Sequence, residues 1–278
     1  MDGPYSTLHY WLVDHPTIKE FEWKQGTTFG SSAFFLTLTV IIYLTLTFTF
    51  HSFPILPSLR PTTLRLITAV HNLILCFLSF IMAVGCTLST LTQMPQNDWT
   101  WPICFPSNRT PPTGPTFFWA YIFYFSKTLE FIDTFLILLS GSRSRRLSFL
   151  HVYHHSVVIV MCYLWLSTSQ TLFPVALVTN ASVHVVMYGY YLLSALGHRP
   201  WWKRLVTDLQ IIQFVFSFGI SGLMLYYHFS RSSGCSGILG WCFNAVFNAS
   251  LLLLFVDFHS KNYANKRKER HDDNDKQS

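Results

Sequence analysis

The segment His151-Val152-Tyr153-His154-His155 carries three imidazoles at i, i+3 and i+4, so a helix sets all three on one face. Imidazole titrates near neutrality and serves as base, nucleophile or metal ligand. A lone histidine is more often a packing residue; three within about one turn are hard to explain that way. A second set, Lys127, Glu130 and Asp133, is spaced by three, so neighbours pair along one helix face, which Thr134 extends. A third, Asn180, His184, Tyr188 and Tyr191, is spaced four, four and three, and Thr207, Gln210 and Gln213 are spaced three apart. These residue types suit proton transfer, nucleophilic attack and hydrogen bonding to developing oxyanions. The plainer reading of the charged and amide sets is a polar network that joins helices, and the two readings are compatible.

The elements that carry these residues are apolar. The chain has 278 residues, 50% of them hydrophobic, 17% aromatic and 12% charged. A soluble domain carries about 25% charged residues, so lipid is the expected solvent. A crossing helix needs about 20 mainly apolar residues. Seven segments qualify, at about 31–50, 66–90, 117–140, 150–168, 171–196, 205–229 and 236–258, with a tight turn near Ser169–Gln170 between the fourth and fifth. The expected fold is all-α and polytopic, with seven transmembrane helices around a buried polar site. Residues 1–30 hold no apolar signal-peptide core, so Ser31–Phe50 is expected to act as a signal anchor.

Charge supports an odd number of crossings. Most of the 19 basic residues fall on one side of the seven spans: Arg60 and Arg65, Arg143, Arg145 and Arg146, Arg199, Lys203 and Arg204, and those from Lys261 onward. The positive-inside rule then places the C-terminus in the cytosol and the N-terminus outside or in a lumen. Asn108-Arg109-Thr110 is a glycosylation sequon on the non-cytosolic side. Cys104 and Cys235 lie in two loops of that side, where an oxidising compartment lets them pair; two free thiols are the alternative. No CxxC spacing occurs among the 6 cysteines.

With this topology the imidazoles of the fourth span, the start of the sixth, Asp133 and His184 all lie in the cytosolic half. His184 stands about 18 Å from the Leu196 end by helical rise, while Lys127 and Asn180 lie deeper. Four helices thus direct polar groups at one volume. It would have a polar mouth and an apolar floor, and would fit an amphiphile with an anionic head and an acyl chain.

These segments resemble the ELO family, the very-long-chain fatty acid elongases. Lys127–Thr134 (KTLEFIDT) resembles its KxxExxDT signature, His151–His155 its HxxHH box, Asn180–Tyr191 (NASVHVVMYGYY) its NxxxHxxMYxYY segment, and Thr207–Phe214 (TDLQIIQF) its TxxQxxQF segment. Trp201-Trp202-Lys203 is also similar, and Tyr10–Pro16 (YWLVDHP) with Gly30-Ser31-Ser32 is similar to the plant ELO-like branch. All motifs occur in the family's order, and no motif position departs from it.

The resemblance implies a very-long-chain 3-oxoacyl-CoA synthase of the endoplasmic reticulum membrane. It would condense a long-chain acyl-CoA with malonyl-CoA to give 3-ketoacyl-CoA, CO2 and CoA through an acyl-histidine intermediate. His154 is then the expected nucleophile, with His184 facing it and His151 and His155 orienting it or moving protons. Lys127, Glu130, Asp133, Asn180, Tyr188, Gln210 and Gln213 form the supporting polar set. Lys203, Arg204, Arg199, Arg143 and Arg146 would bind CoA phosphates, and Tyr190 would line the passage. The apolar tunnel beyond them would set chain length. No metal or cofactor is expected besides the two CoA substrates. The expected partners are a ketoacyl reductase, a dehydratase, an enoyl reductase and membrane lipid, with a homodimer as the assembly considered and no nucleic acid.

The implied organisation is a lumenal segment at 1–30, a seven-helix elongase domain at 31–258 and a basic, polar cytosolic tail at 259–278. The main alternative is a membrane di-iron desaturase or hydroxylase. Such enzymes need about eight histidine ligands, whereas only His151, His154, His155 and His184 of the 12 histidines cluster within spans. The others, at 9, 15, 51, 71, 198, 228, 259 and 271, read as isolated. A receptor or transporter is a third class, but it gives no reason for HxxHH beside KxxExxDT.

Overall fold

The structure is a computed structural model and describes residues 3–53, 59–96, 98–107, 109–140 and 147–261. A short lead comprises α1 (Pro4–His9), a π-turn (Tyr10–Asp14) and α2 (Pro16–Lys19). Among the described residues eight longer helices follow: α3 (Ala33–Ser52), α4 (Pro61–Gln93), α5 (Pro115–Leu129), α6 (Phe131–Leu139), α7 (Phe149–Ser167), α8 (Phe173–Ala195), α9 (Lys203–Ser230) and α10 (Ile238–His259). Among the described residues, extended pairing is limited to two isolated bridges, Glu22–Thr113 and Pro106–Cys235.

Local chemistry starts these helices where the sequence directs. Ser32 caps α3 by accepting from Phe35 N–H, and Ser148 caps α7 by accepting from His151 N–H. Proline occupies the first turn of α4, α5 and α8, where its missing N–H has no partner to lose.

Six of the helices, α3, α4, α7, α8, α9 and α10, are long and apolar enough to cross a bilayer. Helices satisfy their own backbone groups, as lipid requires. Their outer surfaces are apolar: Phe34, Ile41 and Phe48 on α3 and Ile212, Val215 and Phe229 on α9 are exposed. The protein is therefore an all-α, multi-pass membrane protein.

The third expected span is not one helix. It is divided at Glu130 into α5, of 15 residues, and α6, of 9. Two local bonds accompany the break. Ser126 Oγ donates to the Phe123 carbonyl at 2.7 Å, and Asp133 N–H bonds the Glu130 carbonyl three residues back at 3.0 Å. Both compete with the i→i−4 ladder and tighten the turn. The pair still runs from one end of the bundle to the other. Gly114, just before α5, bonds Phe21 of the N-terminal segment, while Thr134 of α6 reaches the first turn of α7.

Six packing units close into a ring. α4 lies against α5 and, along much of its length, against α8; α5 lies against α7, α7 against α10, α10 against α9, and α9 against α8. α3 stands outside, packed on α6 and α7. Close approach needs small residues: a Cβ on Gly85 of α4 would sit 2.3 Å from the Trp119 ring of α5.

One end of the ring is sealed. Cys104 and Cys235 form a disulfide between the α4–α5 and α9–α10 loops, with a Cα–Cα distance of 5.0 Å. Thr171, in the α7–α8 turn, accepts from Phe105 N–H and donates to the Ile103 carbonyl at 2.8 Å, while its own N–H bonds Ser236. The tight turn expected at Ser169–Gln170 is present, with Ser169 and Leu172 both at positive φ. Gly237, at φ +68, is pressed on it so closely that a Cβ would meet Gln170 Cα at 2.4 Å. The sequon residue Asn108, the expected CoA ligands Arg143 and Arg146, and the tail after Lys261 lie outside the described residues.

Candidate active site

The polar residues inside the ring meet around the α5–α6 break, nearer the end opposite the disulfide. Lys127 Nζ lies 2.6 Å from Glu130 Oε1, and both side chains are almost wholly buried. The ammonium also stands 4.1 Å from the Phe123 ring centroid. The pair neutralises itself, since an unpaired charge at this depth is costly. Glu130 Oε2 is buried without a hydrogen-bond partner.

The first turn of α6 forms two further nodes. Asp133 accepts from His71 Nε2 on Oδ1 and from the Tyr188 hydroxyl on Oδ2, each at 2.9 Å. A carboxylate only accepts, so His71 Nε2 carries the proton in that bond. The next residue, Thr134, is buried and pairs with His151 Nε2 at 2.9 Å and with the Tyr43 hydroxyl at 3.0 Å. One turn of a short helix therefore touches α3, α4, α7 and α8.

The three histidines of α7 share a face, as their spacing requires. The rings of His151 and His155 are 4.4 Å apart between centroids and those of His154 and His155 are 5.3 Å apart. His154 stacks towards Phe247 of α10 at 6.4 Å. Nδ1 of both His154 and His155 is buried and has no hydrogen-bond partner. His184 is held differently: its Nδ1 donates to the Asn180 carbonyl at 2.9 Å. In the neutral ring this leaves the lone pair on Nε2, which is 3.8 Å from Glu130 Oε1. Asn180 Oδ1 is likewise buried and unpartnered. Gln210 makes a weak 3.4 Å contact to Met187 Sδ, and Gln213 is half-buried.

The structure thus gathers Lys127, Glu130, Asp133, Tyr188, His184 and the α7 histidines into one connected region. Tyr191 ends the α8 stripe, being exposed where His184 and Tyr188 are buried. Arg199, Lys203 and Arg204 are exposed at the end opposite the disulfide, and Arg204 lies 3.5 Å from Asp208. Tyr190 packs edge-on against Trp202 at 5.5 Å. Among the described residues, no three His, Cys, Asp or Glu side chains group as metal donors do.

Several histidines that read as isolated have partners. His71 joins the site through Asp133; His259 bonds Asp208 at 3.0 Å; His228 accepts from Cys235 N–H; His9 pairs with Asp14. Spacing along one helix cannot reveal a partner on another. The signal available for His71 was its position beside Asn72 inside an otherwise apolar span.

Fold and site define a class: a multi-pass helical membrane protein with an imidazole-rich polar cluster enclosed by a ring of helices. Residues 28–271 match the family described as ELO: GNS1/SUR4, and the chain belongs to the ELO family. It is 33% identical over 248 residues to a putative fatty acid elongase of Dictyostelium discoideum, covering 88% of this chain and 81% of that protein. It is 28% identical over 277 residues to fatty acid elongase 3-like of Arabidopsis thaliana, covering 95% and 94%. It is 31% identical over 224 residues to very long chain fatty acid elongase 5 of Xenopus laevis, covering 76% and 70%.

Proposed function

We propose that this chain is a fatty acid elongation enzyme that condenses long-chain acyl-CoA with malonyl-CoA to 3-ketoacyl-CoA. The observation that carries the reading is the set of imidazoles inside the helical ring. His154 and His155 have unpartnered buried nitrogens, and His184 turns Nε2 towards a self-neutralised Lys127–Glu130 pair. Membership of the ELO family and relatives named as fatty acid elongases support the substrate class.

In the first half-reaction a nitrogen of His154 attacks the acyl thioester carbon. The C–S bond breaks, CoA leaves as thiolate and takes up a proton, and an acyl-imidazole remains. In the second, malonyl-CoA loses CO2, and the electron pair of the broken C–C bond forms the enolate. The enolate carbon attacks the acyl carbonyl and expels the imidazole. The product is two carbons longer.

His184 and His155 move protons, while His151, held by Thr134, orients the α7 imidazoles. The amides of Asn180 and Gln210 hydrogen-bond carbonyl oxygens as charge develops, with Gln213 beside them. Lys127, Glu130 and Asp133 set the local field. Arg199, Lys203 and Arg204, with Arg143 and Arg146, attract the CoA phosphates, and Tyr190 lines their passage. No metal or added cofactor takes part. The family resemblance points to the endoplasmic reticulum membrane, and the basic distribution supports a lumenal N-terminus and a cytosolic C-terminus. Separate reductases and a dehydratase complete the cycle.

The test is incubation of purified protein with labelled malonyl-CoA and a panel of acyl-CoAs. Labelled 3-ketoacyl-CoA is expected. Its absence at every chain length, or two irons per chain with oxygen consumption, would overturn the reading in favour of the di-iron class, which the family match does not favour.

A further inference from the structure

The α4 helix turns an apolar side to lipid and buries polar residues, His71 and Asn72 among them, on the other. Leu66, Ile67, Leu73, Ile74 and Phe77 expose their side chains on its lipid-facing side, yet His71 turns inward and is only 6% exposed. A polar group at membrane depth needs a partner with a reason to be there. Its partner is Asp133, one of the residues in the KxxExxDT segment.

We infer that His71 is a positioning residue for condensation, fixing the Asp133 carboxylate so that Tyr188 and the first turn of α6 hold both walls of imidazoles in place. The inference rests on the proposed function. Its geometric basis is that Asp133 has one oxygen on His71 and the other on the Tyr188 hydroxyl. Tyr188 stands edge-on to His184 with ring centroids 5.7 Å apart, which links the node to the α8 wall. Thr134, the adjacent residue, bonds His151, which links the same turn to the α7 wall.

The helix that carries this turn is short. α6 is 9 residues long and starts afresh after the turn at Glu130, where Asp133 N–H bonds the Glu130 carbonyl three residues back. Its placement therefore depends on lateral bonds, and His71 supplies the one from α4. Without that donor, Asp133 keeps a single partner and its carboxyl plane is free to rotate. Tyr188 then loses its fixed acceptor geometry, and small misplacements in a reacting constellation are expensive in rate. The hydrogen bond of His71 goes to Asp133, so its effect on the four clustered imidazoles passes through that carboxylate.

The experiment measures kcat and KM of the full-length protein in detergent for acyl-CoA and malonyl-CoA. The variants are His71→Met, His71→Gln, Tyr188→Phe and the double variant His71→Met/Tyr188→Phe. His71→Met and Tyr188→Phe should each lower kcat about tenfold while both KM values stay within about twofold, the signature of lost transition-state geometry. The double variant should be no worse than about twofold below the weaker single variant, because both act through one carboxylate. His71→Gln keeps a donor and should retain more than about half of kcat.

Wild-type kcat in His71→Met, effects that multiply in the double variant, or equal loss in His71→Gln and His71→Met would each overturn the inference. If His71→Met does not fold, His71→Asn replaces it, since its shorter amide falls short of Asp133; the same losses are then expected. A wild type inactive on every acyl-CoA would overturn the elongation reading and this inference with it. An active wild type beside an unaffected His71→Met overturns only the inference.

Discussion

The two ends of the helical ring are built on different principles. At the disulfide end, loops are joined by a covalent bond, by backbone hydrogen bonds through Thr171 and Ser236, and by the N-terminal segment bonding Pro112 and Gly114. Each polar group named there is used to hold another loop. Around the α5–α6 break, near the other end, the polar groups are buried but several are left over: Nδ1 of His154 and His155, Oδ1 of Asn180 and Oε2 of Glu130. The sealed end also leaves buried polar atoms over, on Gln170, Thr116 and Trp23, so the two regions differ in kind: around the break the unpartnered atoms belong to imidazoles, a carboxylate and an amide grouped together. Both ends also depend on the ring, since neither would hold its loops or imidazoles without the six packed units behind it.

That contrast can be broken experimentally. The largest effect is expected for His154→Ala, which should lower condensation by at least about 100-fold, the lower range for loss of a nucleophile or acid–base group. The purified variant should elute as wild type does on size exclusion; wild-type product formation would remove His154 from the chemistry. Next is Lys127→Met, which strands Glu130 in the bundle. Breaking one partner of a buried pair costs about 3–5 kcal/mol, so thermal unfolding in detergent should fall markedly. An unchanged midpoint would show that the pair is dispensable to the fold.

A smaller effect is expected at the sealed end. Replacing Cys104 and Cys235 together by serine should cost about 2–4 kcal/mol of stability, as for a native disulfide closing a long loop. Condensation by the folded protein should stay within about twofold of wild type, because the bond is remote from the imidazoles; a large loss of kcat at full folding would mean the ends are coupled. The smallest effect belongs to Lys203→Ala. It should raise KM for acyl-CoA severalfold at low salt and less at high salt, since the exposed ammonium acts through screened attraction to phosphate. A KM unchanged at low salt would place the phosphates elsewhere.

Much of the site was legible along single helices. The shared face of His151, His154 and His155, the Lys127–Glu130 pair at i, i+3 and the His184–Tyr188 stripe all follow from 3.6 residues per turn, and each is present. The hairpin at Ser169–Gln170 followed from a break in hydropathy. The division of the third span was not visible, because Ser126, Lys127, Thr128, Glu130, Asp133 and Thr134 are all compatible with one continuous helix. Nor was His71, whose partner lies 62 residues away on another helix.

Sequence by itself thus determined the solvent, six of the expected apolar spans, the cluster on each helix face and the ELO family resemblance, because all of these depend on local composition and spacing. Tertiary structure alone decided the ring order, the pairing of Cys104 with Cys235, the break at Glu130 and the convergence of His71, Tyr188, Thr134 and His151 on the first turn of α6. The physical reason is that a helix fixes its own neighbours within about four residues, whereas neighbours between helices depend on rotation and register, which every helix in the ring sets jointly.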